Sequence, residues 1–359
     1  MDYKVRFINY PKQYHLLKGE VDGAILRCLE SGDLILREDL QKFERDFANF
    51  CNRKYCVTTD SCTGAMFLSL CAAGVGRGDE VITVSHTYIA TIDVIVHCGA
   101  TPVLVDVGND FNMDMSLLEK AITPKTKAIL PVHLNGRMCD MKYLMEVAEK
   151  HGLTVVEDCA QAPGAEYTGR MAGSFGLTGC FSFYPSKVLG SFGDGGALVT
   201  DDEDLADRLY LLRDHGERPK YRGDSAGKIP FYGFNSLLDN LQAAVLTVKL
   251  KHLPEYIKKR RELASRYDKG LKDLPLFLPP VPSHSQYFDV FQNYVVRAAE
   301  RDRLRGYLTK NGVETLCQWP IPNHLQEGLG LKHFKLPVTE RLSKEVVSLP
   351  MCVNWRMMK

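Results

Sequence analysis

The 359-residue chain predicts an α/β fold, with an open, mostly parallel seven-stranded sheet in a large domain and a smaller α+β domain at the C-terminal end. Three observations carry that expectation. Seven short β-rich runs alternate with helix-like stretches, the pattern of strands joined by crossover helices. The composition, 45% hydrophobic and 25% charged, is ordinary for a globular core. The length suits one large unit and one smaller one.

Along the chain, residues 18–50 read as helical with a break near Gly32 and Asp33. The strand-like runs follow: YCVTT (55–59), EVITVS (80–85), TPVLVDV (101–107), AILPVHL (128–134), LTVVED (153–158), CFSFY (180–184) and GALVT (196–200). TGAMFLSLCAAG (63–74) and MKYLMEVAEKHG (141–152) are amphipathic segments between them. The last two runs are joined by too few residues for a packed crossover helix, so one of them is expected to run antiparallel. Residues 240–270 are charged and helical and lead out of the sheet. After the Pro-rich LPLFLPPVP (274–282) come strand-like FQNYVVRA (291–298) and helix-like ERDRLRGYLTKNG (300–312). The expected division is a large domain over 1–248 and a small one over 249–359.

Composition excludes several functions. With 45 basic and 44 acidic residues the formal charge is +1, so no basic field favours nucleic acid. The eleven cysteines form no C-x-x-C pair and show no metal-ligand spacing, so no metal is expected. No apolar run approaches the length that crosses a bilayer. The N-terminal MDYKVRFINYPKQY is unlike a signal sequence, and reduced thiols in the cytoplasm are the expected setting.

The chemistry concentrates around Lys187, in FSFYPSKVLGSFGDGGALVT (181–200). Twenty-nine residues earlier, at the end of an apolar run, stand Asp158 and Gln161. A lysine amine for a Schiff base and an acid for a pyridinium nitrogen are what pyridoxal 5'-phosphate (PLP) needs. Taken alone, Asp158 could be only the N-cap of the next helix. Ser61, Cys62 and Thr63 open a helix after YCVTT, where free N–H groups and a hydroxyl suit phosphate, or plain capping. Tyr88, in SHTYIAT, can lay its ring on a cofactor face or merely pack. Ser182 lies within reach of a phosphate oxygen, and Gly190, Gly193, Gly195 and Gly196 let the backbone turn close to a ligand.

Together these motifs resemble the DegT/DnrJ/EryC1/StrS family of PLP-dependent aminotransferases, which act mostly on keto sugars attached to nucleotides. The likeness spans FERDFANFC (43–51), CVTTDSCTGAMFLSL (56–70), SHTYIATIDVI (85–95), PVHLNGRMCDM (131–141), VVEDCAQAPGA (155–165), the lysine run, GFNSLLDNLQAA (233–244) and LPVTERLSKEVVSLP (336–350). It implies a fold-type I, aspartate aminotransferase-like architecture and a homodimer with active sites at the interface. By matching positions, it implies that Lys187 is the Schiff-base lysine, Asp158 the partner of the pyridine nitrogen and Gln161 the contact of the ring hydroxyl. It likewise makes Tyr88 the stacking aromatic, Thr63 and Ser182, beside Cys62, the phosphate ligands, and Asn235 the residue reaching the phosphate of the partner subunit's cofactor.

Many members carry an arginine two residues after that asparagine, where this chain has Leu237. The cation for the donor's carboxylate therefore stays open, with Arg218 and Arg222 as candidates by proximity in sequence. Lys187 argues against the dehydratase branch, which carries histidine there. The link from Lys187 to Gly193-Asp194-Gly195-Gly196 resembles members that aminate C3 of a hexose. The expected activity is transfer of an amino group from an amino acid, L-glutamate, to a 3-keto-6-deoxyhexose nucleotide. The alternatives are a 4-keto-hexose nucleotide aminotransferase and a PLP-binding regulatory homologue without turnover. A nucleotide-binding oxidoreductase is disfavoured, because no G-x-G-x-x-G follows the first strand.

Overall fold

A computed structural model describes residues 3–219, 227–280 and 286–352. Helices α1 (Tyr10–Ser31) and α2 (Glu38–Phe50) precede β1 (Tyr55–Thr59), α3 (Cys62–Ala72), β2 (Glu80–Val84), α4 (Ala90–His97) and β3 (Thr101–Val105). Next come α5 (Met115–Leu118), β4 (Thr126–Ile129), α6 (Met141–His151), β5 (Thr154–Asp158), β6 (Glu166–Tyr167), β7 (Arg170–Met171), β8 (Thr178–Ser182), β9 (Gly196–Thr200) and α7 (Glu203–Leu212). The long α8 (Asn240–Leu271) leads to β10 (Tyr287–Phe288), β11 (Tyr294–Arg297), α9 (Arg301–Lys310), α10 (Pro337–Glu345) and β12 (Val346–Leu349).

All seven predicted runs become strands of one sheet, in the order β1-β9-β8-β5-β4-β2-β3. The pairs β2–β3, β2–β4, β4–β5 and β5–β8 are parallel. β9 runs antiparallel to both neighbours, as its short connection to β8 requires. Successive side chains of a strand point to opposite faces, and the sheet is buried on both. Val155 joins the core shared with α2, α6 and α8, and Val156 joins the one shared with α3, α4 and α7. Each fully buried valine contributes about 1.5–3 kcal/mol.

Helix limits follow local chemistry. α1 begins at Tyr10, earlier than the expected 18, because Asn9 Oδ1 accepts from the Lys12 N–H and Pro11 stands in the first turn. It ends at Gly32, whose φ of 72° is left-handed. α6 is capped by Asp140, which accepts from the Tyr143 N–H, and ends at Gly152 with φ 64°.

The C-terminal unit holds the antiparallel pair β11–β12, flanked by α9 and α10. Position 248, the expected division, lies inside the continuous helix α8. The unit docks on the carboxyl ends of the large sheet. Asp106, just beyond β3, accepts from the Val338 and Thr339 N–H groups (2.8 and 2.9 Å) and so caps α10. Arg137 Nη1 meets Asp289 Oδ2 at 2.8 Å. Among the described residues no helix is long and apolar enough to cross a membrane.

Candidate active site

The carboxyl ends of β1, β5 and β8 open on one cavity of about 510 Å³, the usual place for a ligand in an open α/β sheet. Cys62, Thr63, Tyr88, Asp158, Gln161, Ser182 and Lys187 all line it. Seven of the eight residues singled out in the sequence are thus brought together. Asn235 is exposed and lies outside this cavity. A larger open groove of about 730 Å³ runs along α8, past Phe50, Ile257 and Phe288, and holds none of these residues.

Lys187 sits on the loop between β8 and β9. Its segment is gripped on both sides by one distant amide. Gln292 Oε1 accepts from the Val188 N–H (2.9 Å) and its Nε2 donates to the Ser186 carbonyl (3.1 Å). Lys187 lines the cavity, yet its amine is closely surrounded by protein. Desolvation lowers its pKa from the ordinary lysine value, against the opposing pull of Asp158 and Cys62.

Asp158 ends β5 with 5% exposure. Burial raises its pKa, while the Ala160 N–H (3.1 Å to Oδ1), the Thr91 hydroxyl (2.9 Å to Oδ2) and the Lys187 charge all lower it. Because the Thr91 hydrogen is committed to Asp158, the Thr87 hydroxyl, 2.9 Å from Thr91 Oγ1, must be the donor of that pair. Asp158 is therefore held by two donors and faces the cavity.

The first residues of α3, Cys62 and Thr63, have N–H groups with no acceptor inside the helix. Ser61 at the N-cap accepts from the Gly64 N–H at 3.0 Å, so the two amides before it remain for a ligand. β9 presses against this turn. A Cβ on Gly196 would come within 2.2–2.4 Å of the Ser61–Cys62 peptide, so only glycine lets the helix start lie here. Ser182 ends β8 beside it. Tyr88 is 65% exposed on the loop after β2, and Asn323 Nδ2 holds that loop through the carbonyls of Ser85 (3.1 Å) and Thr87 (2.9 Å).

Several contributors escaped the sequence reading. Thr91 lies in the quoted SHTYIAT, four residues after Thr87, a spacing that faces one side of a helix. Gln292, Asn293, Asn323, Gln318 and Trp319 come from the C-terminal unit, with no local signal pointing back to Lys187 or Asp158. Trp319, with φ 50°, closes part of the cavity and meets His86 edge-on at 5.3 Å. Of the candidate cations, Arg218 Nη1 pairs with Asp207 Oδ2 of α7 at 3.0 Å, and Arg222 lies outside the described residues.

Among the described residues one buried group has metal-ligand types: His133, Glu157 and Cys159. Glu157 Oε2 already accepts from the Gly173 N–H and pairs with His133 Nε2, and Oε1 accepts from the Phe175 and Gly176 N–H groups. That set makes Glu157 a strut for the 173–176 turn.

The cavity thus combines a desolvated lysine, a held carboxylate, a helix N-terminus and an exposed aromatic ring. The model of the DegT/DnrJ/EryC1/StrS aminotransferase family matches residues 16–357. The chain is 44% identical over 351 residues to dTDP-3-amino-3,4,6-trideoxy-alpha-D-glucose transaminase of Streptomyces venezuelae, covering 97% of this chain and 91% of that protein. A crystal structure of S. venezuelae DesV in complex with a ketimine intermediate superposes with a TM-score of 0.91 at 44% identity, over 96% of this chain and 92% of that one. NtdA from Bacillus subtilis with bound cofactor PMP superposes with a TM-score of 0.87 at 29% identity, over 98% and 80%.

Proposed function

The chain belongs to the DegT/DnrJ/EryC1/StrS aminotransferase family, and from that premise we propose that its cavity holds PLP and moves an amino group from L-glutamate to C3 of a 3-keto-6-deoxyhexose nucleotide. The observation that carries the reading is the pairing of Lys187 and Asp158 across one cavity, close enough for each to shift the other's pKa.

The residues fit the cofactor. The Cys62 and Thr63 amides, with the Thr63 and Ser182 hydroxyls, suit its phosphate. Asp158 suits its ring nitrogen, Gln161 its ring oxygen and Tyr88 its face. Bound there, PLP supplies an electron sink for the carbanion formed when the donor's Cα loses its proton. Burial raises the pKa of Asp158, the Ala160 N–H and the Thr91 hydroxyl favour its ionised form against that, and the carboxylate would hold the ring-nitrogen proton in place. Burial of Lys187 favours its neutral amine, which first serves as nucleophile and then carries a proton from the donor's Cα. Trp319 narrows the opening and limits water.

Two features support C3. One is the ten-residue stretch from Lys187 to Gly196, and the other is the C3 amine in the name of the Streptomyces venezuelae relative. Asn235 supports a homodimer: it stands exposed, three residues after Tyr232, which is 97% exposed, and it does not line its own chain's cavity. In the proposed dimer it reaches the other subunit's phosphate.

The test is incubation of the PLP-loaded protein with glutamate and each keto-sugar nucleotide, followed by NMR of the product. Nitrogen at C3 is expected, and Lys187→Ala should abolish it. Nitrogen at C4 alone would overturn the C3 choice. A bound cofactor whose spectrum glutamate leaves unchanged would support the regulatory alternative.

A further inference from the structure

Gln161 is held in one orientation by a residue far along the chain. Its Oε1 accepts from the Asn135 N–H at 2.7 Å and from Asn293 Nδ2 at 3.3 Å. Asn293 is 4% exposed and also donates to Asn135 Oδ1 at 3.1 Å. A backbone N–H can only donate, so the atom it meets on Gln161 must be the carbonyl oxygen. With Oε1 committed to two donors, the Gln161 NH2 group is the end that remains for the cavity.

The contact is built rather than incidental. Asn135 has φ 59° and Gly136 has φ 90°, a turn that lies flat against residues 290–292. The Val290 N–H donates to the Gly136 carbonyl at 2.9 Å. A Cβ on Gly136 would come within 2.9 Å of the Phe291 and Gln292 nitrogens. The neighbouring Gln292 meanwhile brackets Lys187. One short segment entering β11 therefore reaches both halves of the site without lining the cavity.

We propose that Asn293 is a positioning residue for the transamination: together with the Asn135 N–H it fixes the Gln161 amide so that an N–H donor, and not a carbonyl oxygen, faces the ring oxygen of the cofactor. This rests on the reading of the cavity as a PLP site. A donor at that place stabilises the oxygen as an anion and so favours loss of the proton that the cofactor's chromophore shares. Without it that proton is held more tightly.

The measurement is the pH titration of the visible absorption band of the PLP-loaded protein, with thermal unfolding as a check on folding. Asn293→Leu removes one of the two donors to Oε1 and leaves the Asn135 N–H, so its midpoint should rise by at most about one pH unit, the upper size for one hydrogen bond between neutral groups. Asn293→Asp puts an acceptor against Oε1, works against the hold of the Asn135 N–H and should raise the midpoint further. In a Gln161→Ala background, Asn293→Leu should add no further shift, because its effect passes through Gln161. A midpoint unmoved in both Asn293 variants, or a shift that adds fully to that of Gln161→Ala, would overturn the proposal while leaving the PLP reading intact. A wild-type protein that takes up no PLP would overturn both.

Discussion

Acid should destabilise this protein through His86, and the size of the effect follows from its surroundings. His86 is 3% exposed, stacked on Phe111 (6.0 Å) and edge-on to Trp319 (5.3 Å). Desolvation lowers its pKa from 6.5 to about 4, with only the Asp106 charge pulling the other way. Between those values the unfolded chain binds a proton that the native state refuses. Stability is thus complete above about pH 6.5 and is lost as the pH falls toward 4. At pH 4.5 the loss from this one group is about 2.5 kcal/mol. Trp319, which lines the cavity, should loosen first. The perturbation is His86→Phe, which keeps a ring in the stack and removes the proton site. Urea unfolding of both PLP-loaded proteins at pH 7.5 and 4.5 isolates the term, because every other titrating group is common to the two. The wild type should lose about 2.5 kcal/mol more than the variant. Equal losses would refute the reasoning and mean that His86 is protonated as readily in the native state as in the unfolded chain.

Arg213→Met should lower stability by about 3–5 kcal/mol, since the 0%-exposed guanidinium lies 2.6 Å from Glu44 and its removal leaves a buried carboxylate without it; urea unfolding of the variant checks this. Gly136→Ala should cost stability and also slow the half-reaction with glutamate, because its Cβ would push residues 290–292 away from the turn that holds Gln161; stopped-flow absorbance reads the second effect. Asn235→Ala should weaken PLP binding about 10–100-fold in the proposed dimer through one lost hydrogen bond to a charged group; equilibrium dialysis with sedimentation checks binding and assembly together.

Local pattern accounts for most of the large sheet. In runs such as YCVTT and LTVVED apolar side chains fall on consecutive positions, Cys56 with Val57 and Val155 with Val156, because both faces are covered, and that continuity is visible without any tertiary information. The short link between CFSFY and GALVT was enough to expect an antiparallel strand. The start of α1 was missed because its apolar pattern is weak and the deciding features were a cap and a proline, Asn9 and Pro11. The strand β12 was missed because VVSL is short and pairs with β11, about fifty residues earlier.

The site divides in the same way. Lys187, Asp158, Gln161, Ser182 and the start of α3 were legible because each stands at the end of a strand, within a few residues beyond one, or at the start of a helix, where chain direction largely decides what faces the ligand. What holds them was not legible. Asn293 is 132 residues from Gln161, and Gln292 is 104 from Val188. A hydrogen bond depends on a few tenths of an ångström between groups that share no local periodicity, and only the docking of β11 against the 135–136 turn brings those groups within reach. The sequence by itself determined which chemical groups the cavity contains. The tertiary structure decided how they are aimed, because orientation comes from contacts between segments the chain has carried far apart.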